Sequence, residues 1–125
     1  MAEVSDTAVQ ARRLTTHVLD TASGRPAAGV DLEVFLLEGS DFKEVARATT
    51  NPDGRCDEPL LSGSALRPGT YEIWFHIGAY FDRQTLRSDG FLSVVPVRFD
   101  IGVDVPHVHV PLLISPFGYT TYRGS

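Results

Sequence analysis

The sequence predicts an all-β domain, a sandwich or a barrel. Three observations carry that prediction. Short runs rich in β-branched and aromatic residues recur along the chain, two of them alternate apolar and polar residues with period two, and clusters of Gly, Pro, Asn, Asp and Ser separate them. The 125 residues, 42% hydrophobic and 22% charged, suit one domain around one buried core.

The chain opens on MAEVSDTAVQ, which is small, polar and unpatterned, so residues 1–12 are expected to form a flexible tail and residues 13–125 the domain. RLTTHVLD is the first expected strand and the turn-rich TASGRPAAG follows it. In VDLEVFLLE, Val30, Leu32, Val34 and Leu36 alternate with Asp31 and Glu33, so one face is expected in the core. FKEVARATT leads into the turn NPDG, where Pro52 presets φ and Gly54 is free to take a positive one. TYEIWFHIG places Tyr71, Ile73, Phe75 and Ile77 on one face and Glu72, Trp74 and His76 on the other.

One short helix is expected over Ala79–Arg87, AYFDRQTLR, on a weak apolar stripe of Phe81, Thr85 and Leu86 that SDG ends. The last strands are SVVPVRFDIG, HVHVPLLIS and YTTYRGS. Proline cannot donate to a strand ladder, so Pro96 and Pro111 are expected at edges, bulges or strand starts. An apolar edge invites pairing with another chain, and a sister subunit is the commonest cover.

Composition excludes several classes of function. The net charge is −5 and the 11 basic residues are scattered, which argues against nucleic acid as partner. No run approaches 18 apolar residues and the opening lacks a signal-peptide pattern, so no membrane role and a cytoplasmic location are expected. The absence of a peroxisomal C-terminal address points the same way. Cys56 is the single cysteine, which rules out an intrachain disulfide; it reads as a structural thiol or a reactive one.

Chemistry is left to the four histidines, because no GxSxG, HExxH, CxxC or phosphate loop occurs. In HVHVPLLI, Val108, Val110, Leu112 and Ile114 point one way, so His107 and His109 share the other face, roughly 6.5 Å apart along the strand. They read as solvated histidines, as metal ligands, or as a site in which one is a general base. In LTTHVLD, Thr15, His17 and Leu19 share a face, and His17 is either structural or catalytic. Arg55 follows a tight turn and is either solvated or aimed at a ligand. In the closing run Tyr119, Thr121, Arg123 and Ser125 alternate with Thr120, Tyr122 and Gly124.

Four segments in order, LTTHVLDTASGRPAAGV, TNPDGR, HVHVPLLISPFGY and YRGS, resemble the 5-hydroxyisourate hydrolases, the enzyme branch of the transthyretin-like family. The resemblance runs from Leu14 to Ser125. It implies a transthyretin-like sandwich of two four-stranded sheets with one short helix, assembled as a homotetramer, a dimer of dimers whose interface holds the active sites and is lined by YRGS. It also implies the catalytic residues His17, Arg55, His109 and Ser125, with Tyr122 and Arg123 joining His17 and Arg55 as substrate contacts and His107 in support. The implied substrate is 5-hydroxyisourate, hydrolysed at a ring amide in urate degradation without metal or other cofactor. A non-catalytic transthyretin-like carrier is the alternative, and so is a plain structural module. The chain departs from the family pattern at DGFLSVVPVRF and at Val108, where an aromatic residue is common; both are expected to lie apart from the named site residues.

Overall fold

The computed structural model of the chain describes residues 9–84 and 90–125. The strands are β1 (Arg13–Asp20), β2 (Arg25–Pro26), β3 (Asp31–Glu38), β4 (Asp41–Thr49), β5 (Leu61–Ser62), β6 (Gly69–His76), β7 (Val94–Ile101), β8 (His107–Ser115) and β9 (Gly118–Thr121). A six-residue helix, α1 (Ile77–Asp82), lies between β6 and β7.

Two sheets form a sandwich. One has the order β4-β3-β6-β7 and every pairing in it is antiparallel. The other runs β2-β1-β8-β9, with β5 also on β1, so that β2 and β5 pair with the two ends of that strand. The expected two four-stranded sheets are present, the short β2 and β5 being additional detail that two-residue pairings leave no pattern for in the sequence. Both sheets bury one face against the other. Leu14, Val18, Val108, Val110, Leu112 and Ile114 meet Leu32, Val34, Leu36, Tyr71, Ile73, Phe75, Val95 and Val97, all less than a tenth exposed. Each such large side chain contributes about 1.5–3 kcal/mol relative to exposure, which makes the period-two pattern decisive for which face points inward.

Strand β1 pairs in parallel with β8, with Arg13 opposite His107, Thr15 opposite His109 and His17 opposite Pro111. The core faces of both strands set this register. Thr16, buried on β1, is accommodated because its hydroxyl donates to the Val110 carbonyl at 2.7 Å.

The helix begins two residues earlier than its sequence pattern indicates. Ile77 does not continue β6 but opens α1, still fully buried, and Gly78 passes under the chain at Leu92 and Ser93. A Cβ on Gly78 would lie 2.7 Å from the Leu92 carbonyl oxygen, so the turn from strand to helix needs this glycine. Phe81 is buried as expected, whereas Thr85 and Leu86 of the anticipated stripe, and the end of the expected helix at Arg87, lie outside the described residues. Across the sandwich Asp20, buried at the end of β1, accepts hydrogen bonds from the Ala22 and Ser23 N–H groups and from the Tyr80 hydroxyl at 2.8 Å. That clasp ties α1 to β1, and burial together with the Asp20 carboxylate pushes the Tyr80 phenol up from its ordinary range.

Pro96 lies on β7, an edge strand, as a proline should. Pro111 does not. It stands in the middle of β8, between β1 and β9, and the expectation of an edge, bulge or strand start fails there. The reason is that its missing N–H points toward β9, where the ladder is interrupted.

Candidate active site

The outer face of β1 and β8 is assembled by the parallel register. His107 and His109 project from β8 opposite their buried neighbours Val108 and Val110, with ring centroids 6.2 Å apart. Thr15 and His17 project from β1 on the same side. The Thr15 hydroxyl lies 3.0 Å from His107 Nε2 and 2.8 Å from His109 Nδ1.

Arg55 reaches this face through the NPDG turn. The Gly54 N–H donates to the Asn51 carbonyl, the Asn51 side-chain oxygen accepts from the Asp53 and Arg55 N–H groups, and the Asn51 N–H donates back to the Arg55 carbonyl. Gly54 takes φ +76°, and a Cβ there would stand 2.3 Å from the Val18 carbonyl oxygen. Only glycine lets the turn dock so closely on β1. The turn then places Arg55 in a two-residue bridge with His17.

Together these residues border a groove of about 320 Å³, whose lining includes Arg13, Thr15, Arg55, His107, His109 and Ser125 and also Asp57 and Glu58. Arg13 and Arg55 bring positive charge into the groove, and Asp57 and Glu58 bring negative charge to it. His109 is half-buried. Burial first, then the positive Arg55 and the neighbouring His107 and His17, hold its pKa below the ordinary histidine range. At neutral pH it is therefore an uncharged imidazole, able to accept a proton.

Of the expected site residues, Arg55, His109 and Ser125 share the groove, with His107 beside them. His17 stands at the β1 side, bridged to Arg55 and opposite Pro111. Tyr122 and Arg123 lie across His109, in a second pocket of about 220 Å³ with Val97, Phe99, Val108 and Val110. His109 is the wall common to both.

Pro111 explains why Tyr122 and Arg123 are available at all. The β8–β9 ladder pairs Leu112 with Thr121, and in the same register His109 pairs with Gly124, whose N–H donates to the His109 carbonyl at 2.9 Å. The intervening hydrogen-bonded pair would be Pro111 with Tyr122, and proline has no N–H to give. Its carbonyl accepts from the Thr121 hydroxyl instead, at 2.8 Å. Regular pairing therefore stops at Thr121, Tyr122 and Arg123 leave the ladder, and Gly124 returns to it.

Two residues of the site carry no role in the sequence reading. Thr15 sits on the face that alternation gives to His17, but its contacts come from residues more than 90 positions away. Gly124 is the other: a Cβ there would lie 2.4 Å from His109 Cδ2 and 2.9 Å from Pro111 Cγ, so the backbone lies directly on the histidine ring.

Two outcomes are expected. Gly124→Ala should displace the His109 ring and lower catalytic turnover at least about tenfold while shifting the melting temperature little; an alanine variant with wild-type turnover would show that the ring tolerates the intrusion. Replacing Arg55 by Met removes a positive neighbour, so the His109 pKa should rise toward its usual value and the acid limb of any His109-dependent activity should move to higher pH. An NMR titration of the ring reads this directly, and an unchanged midpoint would count against the Arg55 contribution.

Residues 14–124 match the model of the HIUase/Transthyretin family. A 5-hydroxyisourate hydrolase 2 of Rhizobium meliloti is 50% identical over 115 residues, covering 90% of this chain and 96% of that protein. Among solved structures, (S)-allantoin synthase superposes with a TM-score of 0.82 at 41% identity over 90% of this chain, which spans only 43% of that longer protein. Transthyretin from Sparus aurata superposes equally well, TM-score 0.82, at 29% identity over 90% of this chain and 96% of its own. The backbone is therefore common to the two solved structures, and identity to the hydrolase exceeds identity to either of them. On the family match and that identity, the chain belongs to the HIUase/transthyretin family.

Proposed function

We propose that the histidine groove is the active site of a 5-hydroxyisourate hydrolase, an enzyme of urate degradation. The observation that carries the assignment to this groove is His109: a half-buried imidazole kept neutral by burial and by Arg55, His107 and His17, in a chain half identical to a curated hydrolase. The substrate is flat, rich in carbonyl and N–H groups, and opens by hydrolysis of an amide in its six-membered ring.

Water attack on such a carbonyl needs a base, a stabiliser of the oxyanion and a clamp that holds the plane still. His109 takes the proton from water as it adds to the carbonyl and gives it back to the ring nitrogen as the C–N bond breaks, while His17 on β1 helps to fix the arrangement of the pair. Arg55 is next to both, and its planar guanidinium matches an imide-like edge and offsets the negative charge on oxygen. Ser125 offers a hydroxyl in the same groove, while Tyr122 and Arg123 contact the substrate from the adjoining pocket. Each of these steps uses side chains of the groove, of the adjoining β1 strand or of the adjoining pocket, and calls on no metal.

The functional unit in this reading is a homotetramer, a dimer of dimers with the active sites between the dimers. Support comes from the apolar surface left on and around β9, an edge strand: Phe117, Tyr119 and Tyr122 are 60%, 46% and 58% exposed. No helix among the described residues is long and apolar enough to cross a membrane. We place the enzyme in the cytoplasm, where a single half-buried thiol stays reduced.

The deciding experiment follows the ultraviolet decay of 5-hydroxyisourate made in place from urate by a urate oxidase. Catalytic amounts of this protein should speed the decay, and deletion of Tyr122–Ser125 should remove the effect. Decay at the spontaneous rate with the intact chain would favour the carrier branch of the family. Sedimentation of the intact chain should give four times the monomer mass; a monomer at micromolar concentration would refute the shared-interface site.

A further inference from the structure

Resting on that reading of His109 as the base, we propose that Thr15 is a positioning residue that holds His109 in the tautomer needed for catalysis and passes its proton toward His107. Thr15 Oγ1 is within hydrogen-bond distance of two ring nitrogens at once, His107 Nε2 at 3.0 Å and His109 Nδ1 at 2.8 Å. A threonine hydroxyl has one hydrogen and two lone pairs. It cannot donate to both rings, so at least one of the two nitrogens carries a hydrogen and donates to it.

The choice between them matters chemically. Because His109 uses Nδ1 to meet Thr15, its Nε2 is the nitrogen left for substrate and water, beside the Gly124 backbone that packs on Cδ2. A base needs a lone pair on Nε2, hence a hydrogen on Nδ1. The donor chain is then His109 Nδ1–H to Thr15 Oγ1, and Thr15 O–H to His107 Nε2, with the His107 hydrogen on Nδ1. When His109 Nε2 takes a proton from water, the Nδ1 hydrogen moves to Thr15 as the Thr15 hydrogen moves to His107 Nε2. One proton enters the chain, one positive charge ends on His107, and the reverse sequence returns it when the leaving nitrogen is protonated.

This transfer also relieves the crowding of charge at His109. The groups facing it are His107 on its own strand, His17 on β1 and Arg55 on the turn, all of which oppose a cation on its ring. The groove is also bordered by Arg13 from β1 and by the carboxylates of Asp57 and Glu58. Moving charge through Thr15 to His107 takes it two register positions further along the sheet, to the pair with Arg13, and away from His17, which stands opposite Pro111. If His107 Nε2 is already protonated, the hydroxyl is free to donate to His109 Nδ1, and His109 then carries its hydrogen on Nε2 and loses its function as base. Thr15 thereby makes the state of one histidine depend on the other.

The test compares the intact protein with Thr15→Val, which keeps the shape and removes the hydroxyl, and Thr15→Ser, which keeps the hydroxyl. Nitrogen NMR of the labelled imidazoles, at a pH where both rings are neutral, should show His109 protonated on Nδ1 and His107 on Nδ1 in the intact chain. Thr15→Val should abolish that preference at His109 and lower kcat about 10- to 100-fold with KM changed less than about twofold, and it should move the acid limb of the pH profile. Thr15→Ser should restore both the tautomer and most of kcat. A His109 hydrogen on Nε2 in the intact chain, a Thr15→Val variant with wild-type tautomers and kcat, or a Thr15→Ser variant as impaired as Thr15→Val would each overturn the proposal. Circular dichroism of the variants separates these outcomes from unfolding. The tautomer measurement needs no turnover, so a protein inactive on 5-hydroxyisourate would fail the functional reading while the hydrogen-bond chain is still judged on its own spectrum.

Discussion

The site depends on one pairing, the parallel alignment of β1 with β8. It joins segments more than 90 residues apart, and its eight successive residue pairs put Thr15 beside His109 and His17 beside Pro111. The register is enforced from the far side of the sheet. Leu14 and Val18 on β1 and Val108, Val110, Leu112 and Ile114 on β8 all lie in the core, and a slip of one residue would bury the histidines and expose that apolar set. Several kcal/mol of burial thus act as the positioning force for an exposed polar site. The histidines themselves contribute little to holding their own places.

Around that frame, the remaining parts are brought in by residues with backbone constraints. Gly54 permits the turn that seats Arg55 against β1, Gly124 permits the last segment to lie on the His109 ring, and Pro111 releases Tyr122 and Arg123 from the ladder between them. Each exploits a property of the main chain: access to positive φ, the lack of a Cβ, the lack of an N–H. A proline in a central strand would ordinarily be a defect. Here the lost hydrogen bond opens the second pocket beside His109, and the Thr121 hydroxyl takes up the Pro111 carbonyl.

Electrostatics then set the character of the outer face of this sandwich. Sparus aurata transthyretin and the longer (S)-allantoin synthase superpose with the same TM-score, so the backbone alone does not tell such proteins apart. On the outer face of this chain, His17, His107, His109 and Arg55 are gathered together. Burial first, then Arg55 with the neighbouring His107 and His17, holds the His109 pKa below its ordinary range. A cation near an imidazole opposes its protonation, so the same neighbours that surround His109 keep its lone pair available.

Alternation alone identified the strands and their faces: Val30 to Leu36 inward, Val108 to Ile114 inward, His107 with His109 outward, and Thr15 with His17 outward. These are properties of a period-two chain beside a single core, and they are local. The NPDG turn was equally legible, since Pro and Gly report their φ preferences directly. Motif resemblance supplied the family and the names of the site residues. What the tertiary structure decided was everything that depends on who lies next to whom: that Pro111 is central and not at an edge, that Ile77 turns into a helix over Gly78, that Tyr122 and Arg123 face a separate pocket, and that Thr15 bridges two histidines. No local pattern encodes those contacts. They follow from the register between strands distant in sequence, which is chosen by the packing of the whole core at once.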